Sequence, residues 1–451
     1  MSSETLFRRW SMLVIVALLC TLSCGVASAT GAAVHIRQDA FVAGDNGMPR
    51  GWTTWSARPE IAPRTFVDTV HYPSRPGSLA ISGASNASAY GGWEFAVRGV
   101  ESGHWYRFTA CYRAEGVDYE SWQIVSRLDW VAADGQRAGQ PDYAYHVTPA
   151  GEWKQVTLDA PAPPKATAVK LQLYLANAPQ GTVYWDDIAF DEIPDPGPRK
   201  VRIASINLIP RNTRSPEESV SCFLENIEQS IKQETDLILL PETINVVGTG
   251  MQDADVAEPI PGPTTSRLAT VAKRRKTYIV AGMYEREGHT VYNASVVFDR
   301  QGNIIGKYRK VYLPREEIEA GVTPGIDYPV FLTDFGKVGI MICWDLFYTD
   351  PARALALQGA EIILFPVWGG SVLLERARAY ENHVFLVSSA YDHHTQIIDP
   401  NGEVVVESPA LGTPAIATID LNRRYVDGWL GYMRERFMKE VRFDVGIGSR
   451  E

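Results

Sequence analysis

The sequence predicts two domains of different class, an all-β sandwich over residues 33–193 and an α/β layered domain over residues 201–451. Three observations lead there. At 451 residues the chain is long for one hydrophobic core, so two cores are expected. Its first part, rich in Trp, Tyr, Gly and Ser, alternates apolar and polar residues with period two, whereas beyond residue 200 apolar strand-like runs alternate with helical stretches. Between them "DEIPDPGPRKV" carries three prolines, which continue neither a strand ladder nor a helix, so residues 194–200 form the linker.

Ahead of the sandwich, Arg8 and Arg9, the apolar run from Met12 to Cys20 and the small residues Ala27-Ser28-Ala29 have the form of an export signal. Residues 1–29 are expected to be a leader cleaved near Ala29, and the mature protein periplasmic or extracellular. The apolar run is too short to span a bilayer. The alternative is a lipoprotein held through Cys24, although Thr21-Leu22-Ser23 makes a poor lipidation sequence.

In the sandwich, "WYRFTACYRA", "WKQVTLDAP", "VKLQLYLAN" and "TVYWDDIAF" alternate as half-buried antiparallel strands do. After the linker, "VRIASINLIP" is a buried strand and "SPEESVSCFLENIEQSIKQ" an amphipathic helix with Ser215 as N-cap and Pro216 in its first turn. "TDLILLPE", "TYIVAGMYE" and "AEIILFP" are further strands. Asp350 to Gln358 and the start of "RARAYENHVFLVSSAYD" are helical, the latter running into another strand. Such alternation belongs to layered α/β folds.

A formal net charge of −10, with no basic tract, disfavours nucleic acid and anionic lipid as partners. No Cys/His spacing suited to zinc and no Gly-rich phosphate loop occurs. Past the leader three cysteines remain, Cys111, Cys222 and Cys343, and an odd number in an exported chain leaves at least one thiol unpaired or paired to another chain.

Cys343 ends the strand-like run "VGIMIC", at the kind of strand end where α/β folds present reacting groups. A lone cysteine there is more often an inert buried thiol. Two other residues change the balance. Glu242 closes the strand "DLILLPE", and Lys310 follows a strand in "GKYRKVYLPREE". A thiol needs a base to become a nucleophile, and an ammonium stabilises the oxyanion formed when sulfur adds to a carbonyl. Taken singly, each is better explained as a solvated surface charge.

"LLPE", "KYRKVYLP" and "GIMICWDLFYTDPARALALQGAEIILFP", in that order and at these separations, resemble the carbon-nitrogen hydrolase (nitrilase) superfamily over about residues 200 to 425. The resemblance implies an α-β-β-α four-layer sandwich hydrolysing non-peptide C–N bonds through a Glu-Lys-Cys triad, with no metal or organic cofactor. Glu242 would be the general base, Lys310 and the backbone N–H of Trp344 the oxyanion donors, and Cys343 the nucleophile that carries a thioester. A further family glutamate matches Glu319 best and Glu317 second in "PREEIEAGVTPG". Tyr312 stands where the family has a histidine close to the site, and Asp345, also expected beside the site, precedes a loop that helps form the substrate pocket. Trp344-Asp345 is similar to the amidase and carbamoylase branches, so the expected substrate is a small linear amide or N-carbamoyl compound. Arg353 matches a structural arginine expected to form an ion pair. Arg378, Glu381 and Asn382 match an architectural helix. The resemblance also implies a homodimer.

Eight of the twelve tryptophans, Trp52, Trp55, Trp93, Trp105, Trp122, Trp130, Trp153 and Trp185, fall in the N-terminal half. Its general pattern resembles galactose-binding-like or carbohydrate-binding jelly rolls, which implies a glycan as a partner where an aromatic face is exposed. About two in three of these rings are expected in the core. The terminal pair Asp186 and Asp187 is either a structural calcium site of such modules or a solvated strand end. The leading expectation is an exported amidohydrolase. Acyl transfer from the same thioester and a glycan-binding protein with an inert hydrolase-like half are the alternatives.

Overall fold

The structure, a computed structural model, describes residues 35 to 445 apart from 39–40, 43, 45–46, 74–75, 392–393 and 443. The expected leader and the cysteines at 20 and 24 lie outside the described residues.

The N-terminal half forms two antiparallel sheets around one core. In the seven-stranded sheet Thr182–Ile193 pairs with Trp105–Glu115; in the five-stranded sheet Ala166–Ala176 lies between Tyr90–Arg98 and Ile124–Ala132. Period-two patterning explains the arrangement: Val169, Leu171, Leu173 and Leu175 enter the core, where they meet Phe108, Trp130, Trp185 and Phe190 from other strands. Of the eight tryptophans, Trp52, Trp93, Trp130, Trp153 and Trp185 are buried. Trp55 is exposed and stacks on Tyr174, with ring centroids 5.4 Å apart. Asp186 is buried and accepts the Asp187 N–H at 2.8 Å, and among the described residues no group suited to hold a metal ion occurs.

The chain leaves this sandwich at Ile193 and enters the next sheet with Lys200–Ser205. Two six-stranded sheets follow. The first runs Ile304–Arg309, Thr290–Phe298, Tyr278–Glu287, Leu237–Leu239, Lys200–Ser205, Ala415–Asp420. The second runs Val330–Leu332, Lys337–Ile340, Ile362–Pro366, Phe385–Ser389, Gln396–Ile398, Val404–Glu407. Their inner faces share a core in which Ile203, Leu237 and Val280 face Ile340, Leu364 and Val387. Helices Pro216–Ser230 and Pro263–Arg275 cover the outside of the first sheet through Phe223, Ile227 and Leu268. Helices Asp350–Leu357 and Val372–Asn382 cover the second through Leu355 and Ala379. The order of layers is therefore α-β-β-α.

Local rules account for the ends of these elements. Ser215 accepts the Glu218 N–H at 3.3 Å and Pro216 opens the helix, which buries Ser219, Val220, Phe223 and Ile227 on one face. Each fully buried Phe or Ile there is worth about 1.5–3 kcal/mol relative to exposure. No helix among the described residues is long and apolar enough to cross a membrane.

The end of the chain returns to the sandwich. Helix Met433–Glu440 packs against the sandwich: Glu435 accepts the Tyr143 N–H at 2.7 Å, Arg424 pairs with both Asp142 and Glu435, and Lys439 donates to the Ile124 carbonyl at 2.7 Å.

Candidate active site

Glu242 lies just beyond Leu237–Leu239, where the chain turns and Thr243 takes φ +50°. Gly282 of the neighbouring strand makes this possible. A Cβ there would stand 2.6 Å from Glu242 Cα and 2.8 Å from the Pro241 oxygen, so only glycine lets the turn ride over the strand. Lys310 follows Ile304–Arg309 and is held by its N–H to the Asn293 carbonyl at 2.9 Å.

Cys343 comes from the second sheet. It opens the short 3-10 helix Cys343–Phe347 with φ +43°, a left-handed conformation that costs a non-glycine residue of order 1–3 kcal/mol. Buried Asp345 braces this corner, accepting the Ile342 N–H at 2.8 Å, the Tyr312 N–H at 2.9 Å and the Tyr308 hydroxyl at 2.7 Å. One carboxylate thus ties the cysteine loop to the segment bearing Lys310. Burial raises the Asp345 carboxyl to about 6, against the pull of these three donors.

The side chains converge. Lys310 Nζ donates to Glu242 Oε1 at 2.9 Å and to Glu317 Oε1 at 3.0 Å. Asn293 Nδ2 donates to the same two oxygens at 2.7 and 2.8 Å, and the Trp368 N–H reaches Glu242 Oε2 at 2.9 Å. Tyr391 donates its hydroxyl to the Glu242 carbonyl. The Cys343 thiol lies 3.9 Å from the Gly369 carbonyl oxygen and feels the Glu242 charge. Glu242, Lys310, Glu317 and Cys343 line one cavity of about 420 Å³.

Burial lowers the Lys310 ammonium, but Glu242, Cys343 and Glu317 together outweigh it, so the amine stays protonated. For Cys343, burial first and the Glu242 charge second push the thiol up to about 12, with Lys310 opposing. Burial and the charge of Glu242 hold Glu317 above the usual carboxylate range despite Lys310 and Asn293.

Glu319 does not take part. Its side chain is 67% exposed, beside Arg315, whereas Glu317, 12% exposed, reaches the lysine. The two stand on helix Arg315–Glu319, two residues and roughly 200° apart, so only one can face inward. Tyr312 also points elsewhere: its hydroxyl donates to Asp350 at 2.8 Å and its ring stacks on Tyr348, leaving only its N–H near the cysteine corner. Trp344 follows Cys343 in the first helical turn, where N–H groups lack an internal acceptor. Arg353 is exposed and forms no ion pair among the described residues. Arg378 is buried, donates to the Leu346 carbonyl at 3.0 and 3.2 Å and pairs with Glu381, thereby fixing the cysteine loop to its helix. Asn382 ties into the same turn through the Arg378 carbonyl at 2.9 Å.

Asn293, Trp368 and Tyr391 are the participants that sequence reasoning missed. A polar residue inside the apolar strand "VYNASVVF" was the one available signal, and it marks Asn293.

The model of the carbon-nitrogen hydrolase family matches residues 202–427. The chain belongs to this family. The carbon-nitrogen hydrolase is 36% identical over 197 residues to a nitrilase of Pyrococcus abyssi, covering 42% of this chain and 74% of that one. It is 29% identical over 248 residues to the omega-amidase NIT2 of Mus musculus, covering 49% and 89% respectively. Among solved structures, an amidase from Nesterenkonia sp. superposes with a TM-score of 0.43 at 21% identity, covering 51% of the hydrolase and 95% of that chain. A larger cleft of about 890 Å³ lies where the sandwich meets the hydrolase domain, lined by Tyr145, His146, Arg199, Glu361 and Arg424 among others, and does not include Glu242, Lys310 or Cys343.

Proposed function

We propose that the protein is an exported hydrolase of linear amides or N-carbamoyl compounds that works through a thioester on Cys343. The observation that carries this reading is Lys310 Nζ at 2.9 Å from Glu242 and 3.0 Å from Glu317, beside the Cys343 thiol on the wall of one cavity.

The chemistry follows from the charges. With its proton held up to about 12, Cys343 meets the substrate as a thiol and needs a base in contact. The Glu242 carboxylate takes that proton as the Sγ–C bond forms and the carbonyl electrons move to oxygen. The Lys310 ammonium and the Trp344 N–H stabilise the oxyanion. Collapse breaks the C–N bond, and the nitrogen leaves as ammonia or amine with the proton from Glu242. Water then gives a proton to Glu242 and adds to the thioester carbonyl. The S–C bond breaks, the acid leaves, and the sulfur regains its proton. Asn293 and Glu317 act by holding the lysine and the base in register.

The N-terminal sandwich is read as a jelly-roll module of carbohydrate-binding type. Its support is the pair of antiparallel sheets and the exposed face of Trp55 backed by Tyr174. Export rests on the pattern of residues 1–29. A homodimer follows from the family resemblance, and exposed Leu373 and Tyr380 on helix Val372–Asn382 offer apolar surface for it.

The test is ammonia release from a panel of simple amides and N-carbamoyl amines, with intact mass used to find an acyl adduct on Cys343. Wild type is expected to release ammonia and accumulate an adduct, and Cys343→Ala to do neither. Release that persists in Cys343→Ala would remove the nucleophile.

A further inference from the structure

The cavity at Cys343 is unevenly charged. Three carboxylates, Glu242, Glu317 and Asp253, line it against one ammonium, Lys310, and among the described residues no arginine or histidine joins them. The ammonium is already engaged by two of the carboxylates at 2.9 and 3.0 Å. Asp253 is the third. It begins the short helix Asp253–Val256, is half-buried, and lines the cavity together with Tyr284. The Tyr284 phenol, on the same cavity wall, feels the charge of all three acids, which add to burial in raising it. Val246, Val247, Met251 and Trp368 supply apolar wall.

This lining discriminates by charge. A substrate carboxylate would enter a partly desolvated space beside Asp253 with no uncommitted cation to receive it, whereas an ammonium would bring the charge that the lining lacks. Asp253 and Glu317 are both held above the usual carboxylate range, Asp253 by burial with a further push from Glu242, and a cation beside them would relieve that. The apolar wall suits a short methylene chain.

We infer that the enzyme selects amide or carbamoyl substrates bearing a cationic amine at the end remote from the scissile bond, with Asp253 as the specificity-determining carboxylate that meets it. The inference rests on the hydrolase reading and adds the charge class of the substrate to it.

Two measurements separate its failure from that of the hydrolase reading. The first compares kcat/KM for 5-aminopentanamide, pentanamide and glutaramate, and for the corresponding N-carbamoyl amines. The cationic amide is expected to exceed the neutral one by about ten- to a hundredfold, and the anionic one to fall about tenfold below it, each tenfold being 1.4 kcal/mol of discrimination. Asp253→Asn is expected to bring the cation to within about threefold of the neutral amide, mainly through KM. The second measurement needs no turnover. Cys343 is labelled with cationic, neutral and anionic methanethiosulfonates, each rate normalised to that with 2-mercaptoethanol and assigned to Cys343 by peptide mass. The normalised cation-to-anion ratio is expected to exceed about ten in wild type and to fall in Asp253→Asn.

Cation-selective labelling without turnover of any amide would uphold the charge assignment and sink the hydrolase reading. Glutaramate hydrolysed as well as 5-aminopentanamide, a labelling ratio at or below one, or selectivity unchanged in a folded Asp253→Asn would overturn the inference.

Discussion

Asn293 gives a demanding test of the site, because its amide touches both carboxylates and the sulfur chemistry not at all. Its Nδ2 donates to Glu242 Oε1 at 2.7 Å and to Glu317 Oε1 at 2.8 Å from a fully buried position. Asn293→Ala removes both donors and leaves the two acids to share Lys310. The backbone bond from Lys310 N to the Asn293 carbonyl at 2.9 Å does not involve the side chain, so the lysine stays on its strand. A hydrogen bond to a charged group is worth about 1.5–3 kcal/mol; with partial relaxation of the lysine and entry of water, a net loss of about 2–4 kcal/mol from the folded state is expected.

The decisive readout is pH, since a merely structural role would lower stability without moving a titration. Donation by Asn293 favours the ionised form of Glu317, so its loss raises that carboxyl further. At 1.36 kcal/mol per pKa unit, one lost bond moves the acid limb of kcat/KM up by about one to two pH units, with kcat falling about 10²-fold. Ammonia release from a turned-over amide, followed across the pH range alongside thermal unfolding, measures both. An Asn293→Ala enzyme with kcat/KM within about threefold of wild type and an unmoved acid limb would refute the reasoning, whatever its melting point.

Three further outcomes follow from the same geometry. The Glu242 charge is one reason the Cys343 thiol stands near 12, so Glu242→Gln should raise the thiolate fraction, up to about tenfold per unit of pKa lost. Iodoacetamide should then label Cys343 faster while ammonia release falls about 10²–10⁴-fold, and slower labelling would contradict the influence of the Glu242 charge on the sulfur. Gly282→Ala places a methyl 2.6 Å from Glu242 Cα, and the forced shift should cost about 1–3 kcal/mol in urea unfolding and a disproportionate share of kcat. Glu435, buried beside Asp142 and Arg424, has its carboxyl raised to about 8, first by burial and next by Asp142. A carboxyl raised on folding favours the folded state most below its unfolded value, and that contribution is lost as pH climbs through the folded one. The thermal midpoint should therefore decline from about pH 5 to 8, and Glu435→Gln should flatten the decline.

The three reacting side chains were legible together, because Glu242 and Cys343 close apolar strand runs and Lys310 follows a strand in motifs whose order and separations match the family. What surrounds them was not. On helix Arg315–Glu319, Ile318 is 59% exposed, so no apolar stripe told which glutamate faced in, and Glu319 was preferred over Glu317 by its place in the family pattern. The strand Thr290–Phe298 is buried on both faces over most of its length, and a period-two reading has nothing to say about Asn293 there. The Trp368 contact is made by a backbone N–H, which no side-chain pattern announces. Tyr312 was placed near the site by position, but its phenol finds Asp350, and Tyr308, four residues earlier on the same strand and turn, supplies the hydroxyl that Asp345 receives. Helix Met433–Glu440 carries no local signal of its burial, because the partners that bury Glu435 and Lys439 lie on the sandwich.

The placement of the site also explains why two non-glycine residues with positive φ are tolerated in it. Glu242 and Lys310 come from the end of one sheet, Cys343 and Trp368 from the end of the other, so their approach depends on the core that both sheets share. Sharp exits from those strands are needed to turn the side chains toward one another, and Thr243 at +50° and Cys343 at +43° are those exits. Each is braced by a specific neighbour: the bare backbone of Gly282 under the first, and the three hydrogen bonds accepted by Asp345 at the second. Among the described residues the bracing carboxylate accepts its hydrogen bonds from neutral donors, so it holds the cysteine corner without a hydrogen bond to Lys310. That leaves the ammonium to the two glutamates at the cavity wall, where an oxyanion formed on the substrate would draw on it.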